Sequence, residues 1–241
     1  MKHNKNNLVY LHEQIDTITN KNLQSISADT EQIIDQIFNE GIKYEKILLE
    51  SIIKRITLEK QNPSILDGLI YQKLIKTKNL DIRQKLLNYF PQGILELKKS
   101  LQIDYQPLQK LLINKEFKEA DQLTQKYLCL LVEIKTKNKK EWLYFTDIQF
   151  LPEEDLFTLD FLWKIYSKGK FGFSIQKKIW IKNNKKWEKL WEKIHWLNNG
   201  IMKRYPQEFI WTIEAPEGHL PLFNQLRGTQ TLSYLFNNIK W

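Results

Sequence analysis

The sequence predicts an all-α fold in two domains, and three observations carry that reading. Through the first hundred residues apolar side chains recur at spacings of three and four, the period of amphipathic helices. Tryptophan is absent from that stretch: all eight tryptophans lie at or beyond Trp142, seven of them between Trp163 and Trp241. Six of the eight glycines, from Gly93 onward, punctuate the same half and the joint before it. Residues 1–97 are therefore expected to form an N-terminal helical bundle or short helical-repeat stack. Residues 98–241 form a second helical domain, filled by large aromatic side chains and crossed by long irregular loops.

In the first part, Leu8, Leu11, His12 and Ile15 share one helical face, and Ile33, Ile34, Ile37 and Phe38 another, which ends before Gly41. Ile47, Leu48, Ser51, Ile52, Arg55 and Ile56 form a third, closed by Asn62-Pro63. Leu66, Leu69, Ile70, Lys73 and Leu74 form a fourth, and Ile82, Leu86 and Leu87 a fifth, stopped by Phe90-Pro91-Gln92-Gly93. No polar constellation in these faces suggests a site.

In the second part, Leu108 to Leu112 and Phe117 to Leu131 predict two consecutive helices with a turn at Asn114-Lys115. The acids Glu153-Glu154-Asp155 suit the first turn of a helix running to Tyr166, where they meet the positive end of its dipole. That helix ends at Ser167-Lys168-Gly169, because glycine takes the left-handed conformation of a helix C-terminus without steric cost. Phe171-Gly172-Phe173 follows, with two readings: an aromatic platform beside lysines, or plain core. Asn198 to Pro221 is expected to be an ordered but irregular connection, and Leu232 to Phe236 a helical tail.

The chain has a net charge of +9. From Lys164 to Arg204 there are 12 Lys and Arg against two Glu, a local net of +10, interleaved with Trp180, Trp187, Trp191 and Trp196. An acidic partner is implied. The single cysteine, Cys129, excludes a disulfide framework and sits in a leucine-rich stretch without a charge pattern to activate it. There is no Walker loop, GxGxxG, HExxH or Cys/His metal array, so no catalytic site and no catalytic cofactor are expected. His219, between Gly218 and Leu220-Pro221, reads as a loop-holding hydrogen-bond partner or as a ligand-binding residue. No apolar run approaches spanning length, and the N-terminus shows neither a signal-peptide core nor a transit-peptide composition.

Two ligand classes fit a basic, aromatic, partly irregular surface. Single-stranded nucleic acid stacks bases on aromatics and pairs phosphates with Lys and Arg. A tetrapyrrole offers a broad apolar face and acidic propionates, which arginine binds bidentately. Composition does not separate them.

A resemblance does. Phe117-Lys118-Glu119-Ala120-Asp121-Gln122-Leu123-Thr124, Asp155-Leu156 with Leu162-Trp163, Ser167 to Gln176, and Ala215-Pro216-Glu217-Gly218-His219-Leu220-Pro221 follow in order the motifs of the genomes-uncoupled-four family. Asp104-Tyr105-Gln106-Pro107-Leu108 resembles the opening of the family domain, and the match runs from Asp104 to about Arg227. The resemblance implies an all-α core that binds protoporphyrin IX or magnesium-protoporphyrin IX. It implies a non-catalytic regulator that stimulates magnesium chelatase through its large porphyrin-binding subunit, with no nucleic-acid partner. The helical part before the core is similar to the cyanobacterial and algal form.

The resemblance places the family's loop aromatic on Tyr205 and its propionate-binding arginine on Arg227 of Asn224-Gln225-Leu226-Arg227-Gly228. A second arginine found in some relatives is Gln230 here, and Phe117 stands where Trp is common. With the neighbouring aromatic and basic residues, the expected porphyrin-binding set is Tyr205, Arg227, Phe171, Phe173, Phe209, Trp211, Arg204 and His219. The expected compartment is the plastid stroma of a red or related alga, or the cytoplasm of a cyanobacterium. Basic charge beside an aromatic rim also suits peripheral attachment to anionic plastid membranes.

Overall fold

A computed structural model describes residues 23–222 and 229–241. The predicted helix through Leu8 to Ile15 lies outside them. The chain divides into two compact units between Glu96 and Leu97.

The first unit contains α1 (Ala28–Asn39), α2 (Ile42–Ile53), α3 (Ile65–Leu74) and α4 (Leu80–Tyr89). Each of the other four predicted apolar faces becomes a buried stripe: Ile34 and Ile37 on α1, Leu48 and Ile52 on α2, Leu66, Ile70 and Leu74 on α3, and Ile82 and Leu86 on α4. The starts follow from capping. Ser27, Ser64 and Asn79 accept hydrogen bonds from the backbone N–H groups of Thr30, Asp67 and Ile82. Ser64 and Asp67 complete a reciprocal capping box.

Where the spacing predicts that the second helix runs on toward Asn62-Pro63, the backbone widens into a π-helical turn, Lys54–Leu58. That turn carries Arg55 into the interior, where its guanidinium donates to both carboxylate oxygens of Asp67 at 2.9 and 2.8 Å. The same carboxylate accepts the Ser64 N–H, so this buried charge is paired and its acceptors are used.

The second unit contains α5 (Gln106–Ile113), α6 (Phe117–Thr136), a 3₁₀ turn (Phe145–Phe150), α7 (Glu153–Tyr166), α8 (Phe173–Lys182), α9 (Trp187–Lys193) and α10 (Gln230–Asn238). Its core is aromatic. Trp163 stacks on Phe117 at 6.1 Å, and Phe171 meets Phe117 edge-on at 5.3 Å. Two polar tips inside this core are satisfied: Trp163 Nε1 donates to Thr124 Oγ1 at 3.0 Å and Tyr166 Oη to Gln109 Oε1 at 2.9 Å. The acids opening α7 divide in role. Asp155 turns inward to accept from Tyr105 Oη and the Gln102 N–H, while Glu154 pairs with Lys98 on the surface.

The connection from Asn198 to Pro221 departs from plain irregularity at one place. Asn199 and Gly200, at φ 49° and 78°, form a tight turn joining β1 (Leu197–Asn198) to antiparallel β2 (Ile201–Met202). Asn-Gly is the dipeptide such a hairpin turn requires. Among the described residues this is the one sheet, and the fold is predominantly helical as expected.

Candidate functional site

The stretch Ser167 to Gln176 and the stretch Ala215 to Leu222 are tied together by backbone. Gly169 closes α7 at φ 78°, its N–H donating back to the Lys164 carbonyl at 2.9 Å. From there the Gly172 N–H donates to the Leu220 carbonyl at 3.0 Å, and the Gly218 N–H to the Lys170 carbonyl at 2.7 Å. Gln176, wholly buried, donates to the carbonyls of both Gly218 and Pro221, at 3.0 and 2.8 Å. Both glycines are required. A Cβ on Gly172 would lie 2.7 Å from Asp160 Oδ1, and one on Gly218 2.8 Å from Ile179 Cδ1 and 2.9 Å from Ile194 Cγ2.

His219 is the hub of this frame. Its Nδ1–H donates to the Ile194 carbonyl at 2.6 Å, and Nε2 accepts the Ile210 N–H at 3.0 Å. Its own carbonyl accepts Trp196 Nε1 at 2.8 Å. The ring is therefore a neutral Nδ1–H tautomer, and burial pushes its pKa down to about 4. Phe209 packs on it at 5.6 Å. These bonds fasten one edge of the loop between β2 and the Ala215 turn.

The loop's other side carries Tyr205 and Trp211, both half-buried, with centroids 6.0 Å apart and ring planes 89° to each other. Trp211 Nε1 donates to the Pro206 carbonyl, and Lys170 Nζ donates to the Ile213 carbonyl. Gln122 Nε2 on α6 donates to Tyr205 Oη at 3.3 Å, so the loop's aromatic tip lies beside the exposed face of α6. At the preceding position of the same helix, Asp121 Oδ1 accepts the Leu222 N–H at 2.6 Å. Burial pushes the Asp121 carboxyl up to about 8, against the opposing effect of that N–H.

The structure thus brings Arg204, Tyr205, Phe209 and Trp211 of the expected set together on one loop, with Arg204 exposed and Phe209 beneath. Arg227 lies outside the described residues. Three members are corrected. Phe171 and Phe173 are wholly buried, Phe171 between Phe117 and Trp163 and Phe173 against Trp241, so the platform reading gives way to core. His219 is wholly buried and both ring nitrogens hold backbone, so it positions the loop and has no lone pair for a ligand. Sequence reasoning missed Asp121 and Gln122. The signal for Asp121 was a carboxylate on the apolar face of α6, among Phe117, Ala120, Thr124 and Leu128.

The remaining chemistry is quiet. Cys129 is buried and its thiol is pushed up by burial, away from nucleophilic use. Among the described residues no three His, Cys, Asp or Glu side chains gather as metal ligands, and no helix is long and apolar enough to cross a membrane.

This architecture has relatives. A ycf53 protein of Pyropia yezoensis is 43% identical over 223 residues, 92% of this chain and 94% of its own. The chloroplastic tetrapyrrole-binding protein of Arabidopsis thaliana is 34% identical over 140 residues, 54% of this chain and 52% of its own. The solved structure of GUN4 from Chlamydomonas reinhardtii superposes with a TM-score of 0.52 at 38% identity, covering 60% of this chain and 94% of that one. The model of the family described as GUN4-like matches residues 98–238, the stretch that holds the glycine frame, the His219 hub and the aromatic loop, and the chain belongs to that family.

Proposed function

We propose that this chain binds protoporphyrin IX and magnesium-protoporphyrin IX against the Lys203–Ile213 loop, and that it stimulates magnesium chelatase through the large porphyrin-binding subunit without catalysing a step itself. The observation that carries the reading is the perpendicular pair of Tyr205 and Trp211 on a loop fixed from behind by His219. One ring offers a face to a flat macrocycle while the other walls its edge, and Arg204, exposed beside them, suits a propionate. Phe209 backs the pair, and Arg227 supplies a second propionate contact. Family membership and the name of the Arabidopsis relative support a tetrapyrrole as the ligand.

The work belongs to residues 98–241, so a chain shortened to begin at Gln102 keeps porphyrin binding if it folds; loss of binding by the folded fragment would refute this. The compartment is the plastid of an alga, where the stroma and the surface of plastid membranes are both open to a basic chain, or the cytoplasm of a cyanobacterium. The chloroplastic name of the Arabidopsis relative and the algal source of the ycf53 relative support it.

Titration with protoporphyrin and with a single-stranded oligonucleotide, each at low and high salt, tests the reading. Porphyrin fluorescence is expected to quench with little salt dependence, since binding is mostly apolar burial. Tight, salt-sensitive oligonucleotide binding without quenching would replace a porphyrin with a polynucleotide.

A further inference from the structure

From the last turn of α8 into α9 the chain reads Lys178-Ile179-Trp180-Ile181-Lys182-Asn183-Asn184-Lys185-Lys186-Trp187, and no carboxylate occurs between Asp160 and Glu188. Lys178, Lys182, Lys185 and Lys186 are exposed, and none has an ion pair among the described residues. Lys178 and Lys182 stand four apart on one helix, where like charges repel at a cost to the helix. Ile181, between them in sequence, is 51% exposed, so an aliphatic side chain reaches solvent among these charges.

The turn that follows is rigid. Asn184 and Lys185 are both left-handed, at φ 55° and 58°. The N–H groups of Lys185 and Lys186 are fixed to the carbonyls of Trp180 and Asn183 at 2.9 and 3.1 Å. The Lys185 ammonium sits 5.6 Å from the Trp180 ring. The structure therefore presents four cations and one aliphatic side chain on a fixed corner.

We infer that this corner, Lys178 to Lys186, is the face by which the chain docks on an anionic lipid bilayer; the inference rests on the membrane-surface part of the proposed function and not on porphyrin binding. Charge complementarity calls for an anionic occupant. The rings decide against a polynucleotide. Trp180 is buried, and Trp187 is stacked on Phe236 at 5.9 Å with planes 16° apart, so the indole faces that bases would need are occupied. Ile181 has no use against a phosphodiester chain. Beside a bilayer it enters the headgroup boundary while the lysines reach phosphate.

The test uses the full chain and flotation with phosphatidylcholine vesicles, with and without phosphatidylglycerol. Binding is expected only to the anionic vesicles. K178E/K182E should weaken it about thirtyfold or more, the fold-change equivalent to about 1 kcal/mol for each lysine removed from an anionic surface. I181S should weaken vesicle binding about fivefold by removing one apolar contact, and leave binding to polyglutamate or an oligonucleotide unchanged. K43E/K46E, an equal charge reversal on exposed α2 positions, should have little effect. Equal loss from both double variants would overturn the assigned face while leaving membrane attachment intact. No binding to either vesicle would overturn attachment itself, and porphyrin titration of the same sample shows whether the porphyrin reading survives. Stronger retention on polyglutamate or oligonucleotide than on vesicles, indifferent to Ile181, would make the corner a polyanion site and overturn the bilayer.

Discussion

His219 and Ile210 are joined at 3.0 Å, backbone N–H to ring Nε2, and the same ring donates from Nδ1 to Ile194. A histidine so placed cannot take a proton without breaking the Ile210 bond. Its folded pKa, about 4, lies below the ordinary 6.5, so the unfolded chain binds the proton more readily. The contribution is complete above pH 6.5 and is lost as the pH falls toward 4, by on the order of 3 kcal/mol. H219Q should flatten that part of the stability profile in denaturant titrations. It should also weaken porphyrin binding by loosening Phe209 and Trp211, and to the same extent for free-base and magnesium porphyrin. A larger loss for the magnesium complex alone would mean that the ring reaches the metal.

Asp121 works in the opposite sense. Its carboxyl, raised to about 8 from the ordinary 3.8, favours the protonated form when folded. Its contribution is therefore complete below pH 3.8 and is lost as the pH rises toward 8. D121N keeps an oxygen for the Leu222 N–H and removes the charge. It should be more stable than the parent at pH 8 and less pH-dependent between 4 and 8. D121A leaves that N–H unpaired and should cost about 1–3 kcal/mol at every pH. Thermal unfolding across pH separates the two. A D121N protein destabilised at pH 8 would show that the ionised form is the one the fold needs.

The glycine frame predicts two costly methyl groups. Gly172, at φ 140°, and Gly218, at φ 78°, would each bring a Cβ under 3 Å from packed atoms. G172A and G218A should each cost about 2–4 kcal/mol, combining backbone strain with overpacking. G200A, at φ 78° but with open space around it, should cost less. Equal penalties at Gly200 and Gly218 in chemical denaturation would leave backbone strain alone as the cause.

Much of this was legible in the sequence, because helices and caps are local. The spacing of Ile34 and Ile37 or of Leu66 and Ile70 reports its own buried face, and Gly169 reports its own helix end. Arg55 could be placed on a core face by its spacing, but its partner Asp67 could not, since it stands twelve residues on, beyond a π-helical turn. The same limit decided the site. Phe171 and Phe173 look alike as platform or core until Phe117 and Trp241 are brought against them. His219 reads as loop holder or as ligand until Ile194 and Ile210 take both nitrogens. The motif residues of Ser167–Gln176 and Ala215–Pro221 were found by resemblance, yet their role is to fasten the loop, and the aromatic side chains that reach its surface are the less distinctive Tyr205 and Trp211.

The loop and Arg227 should part company when the ligand's charge is removed. Arginine meets a propionate through two parallel hydrogen bonds, which lysine cannot copy. A charge-assisted bond contributes about 1.5–3 kcal/mol, so R227A should weaken binding of a free-acid porphyrin about ten- to a hundredfold. The dimethyl ester offers no carboxylate, and R227A should leave its affinity nearly unchanged. R204A should behave in the same way if Arg204 holds the second propionate. If Tyr205 and Trp211 meet the macrocycle as proposed, Y205A and W211A should weaken acid and ester alike. The Gln122 bond adds a control: Y205F removes the hydroxyl that Gln122 meets at 3.3 Å but keeps the ring. Porphyrin affinity near the parent value in Y205F, beside a clear loss in Y205A, would assign the ring and not the hydroxyl. Equal losses of acid and ester in R227A, or loss of helicity in that variant, would make Arg227 a structural residue and leave the propionate without its partner.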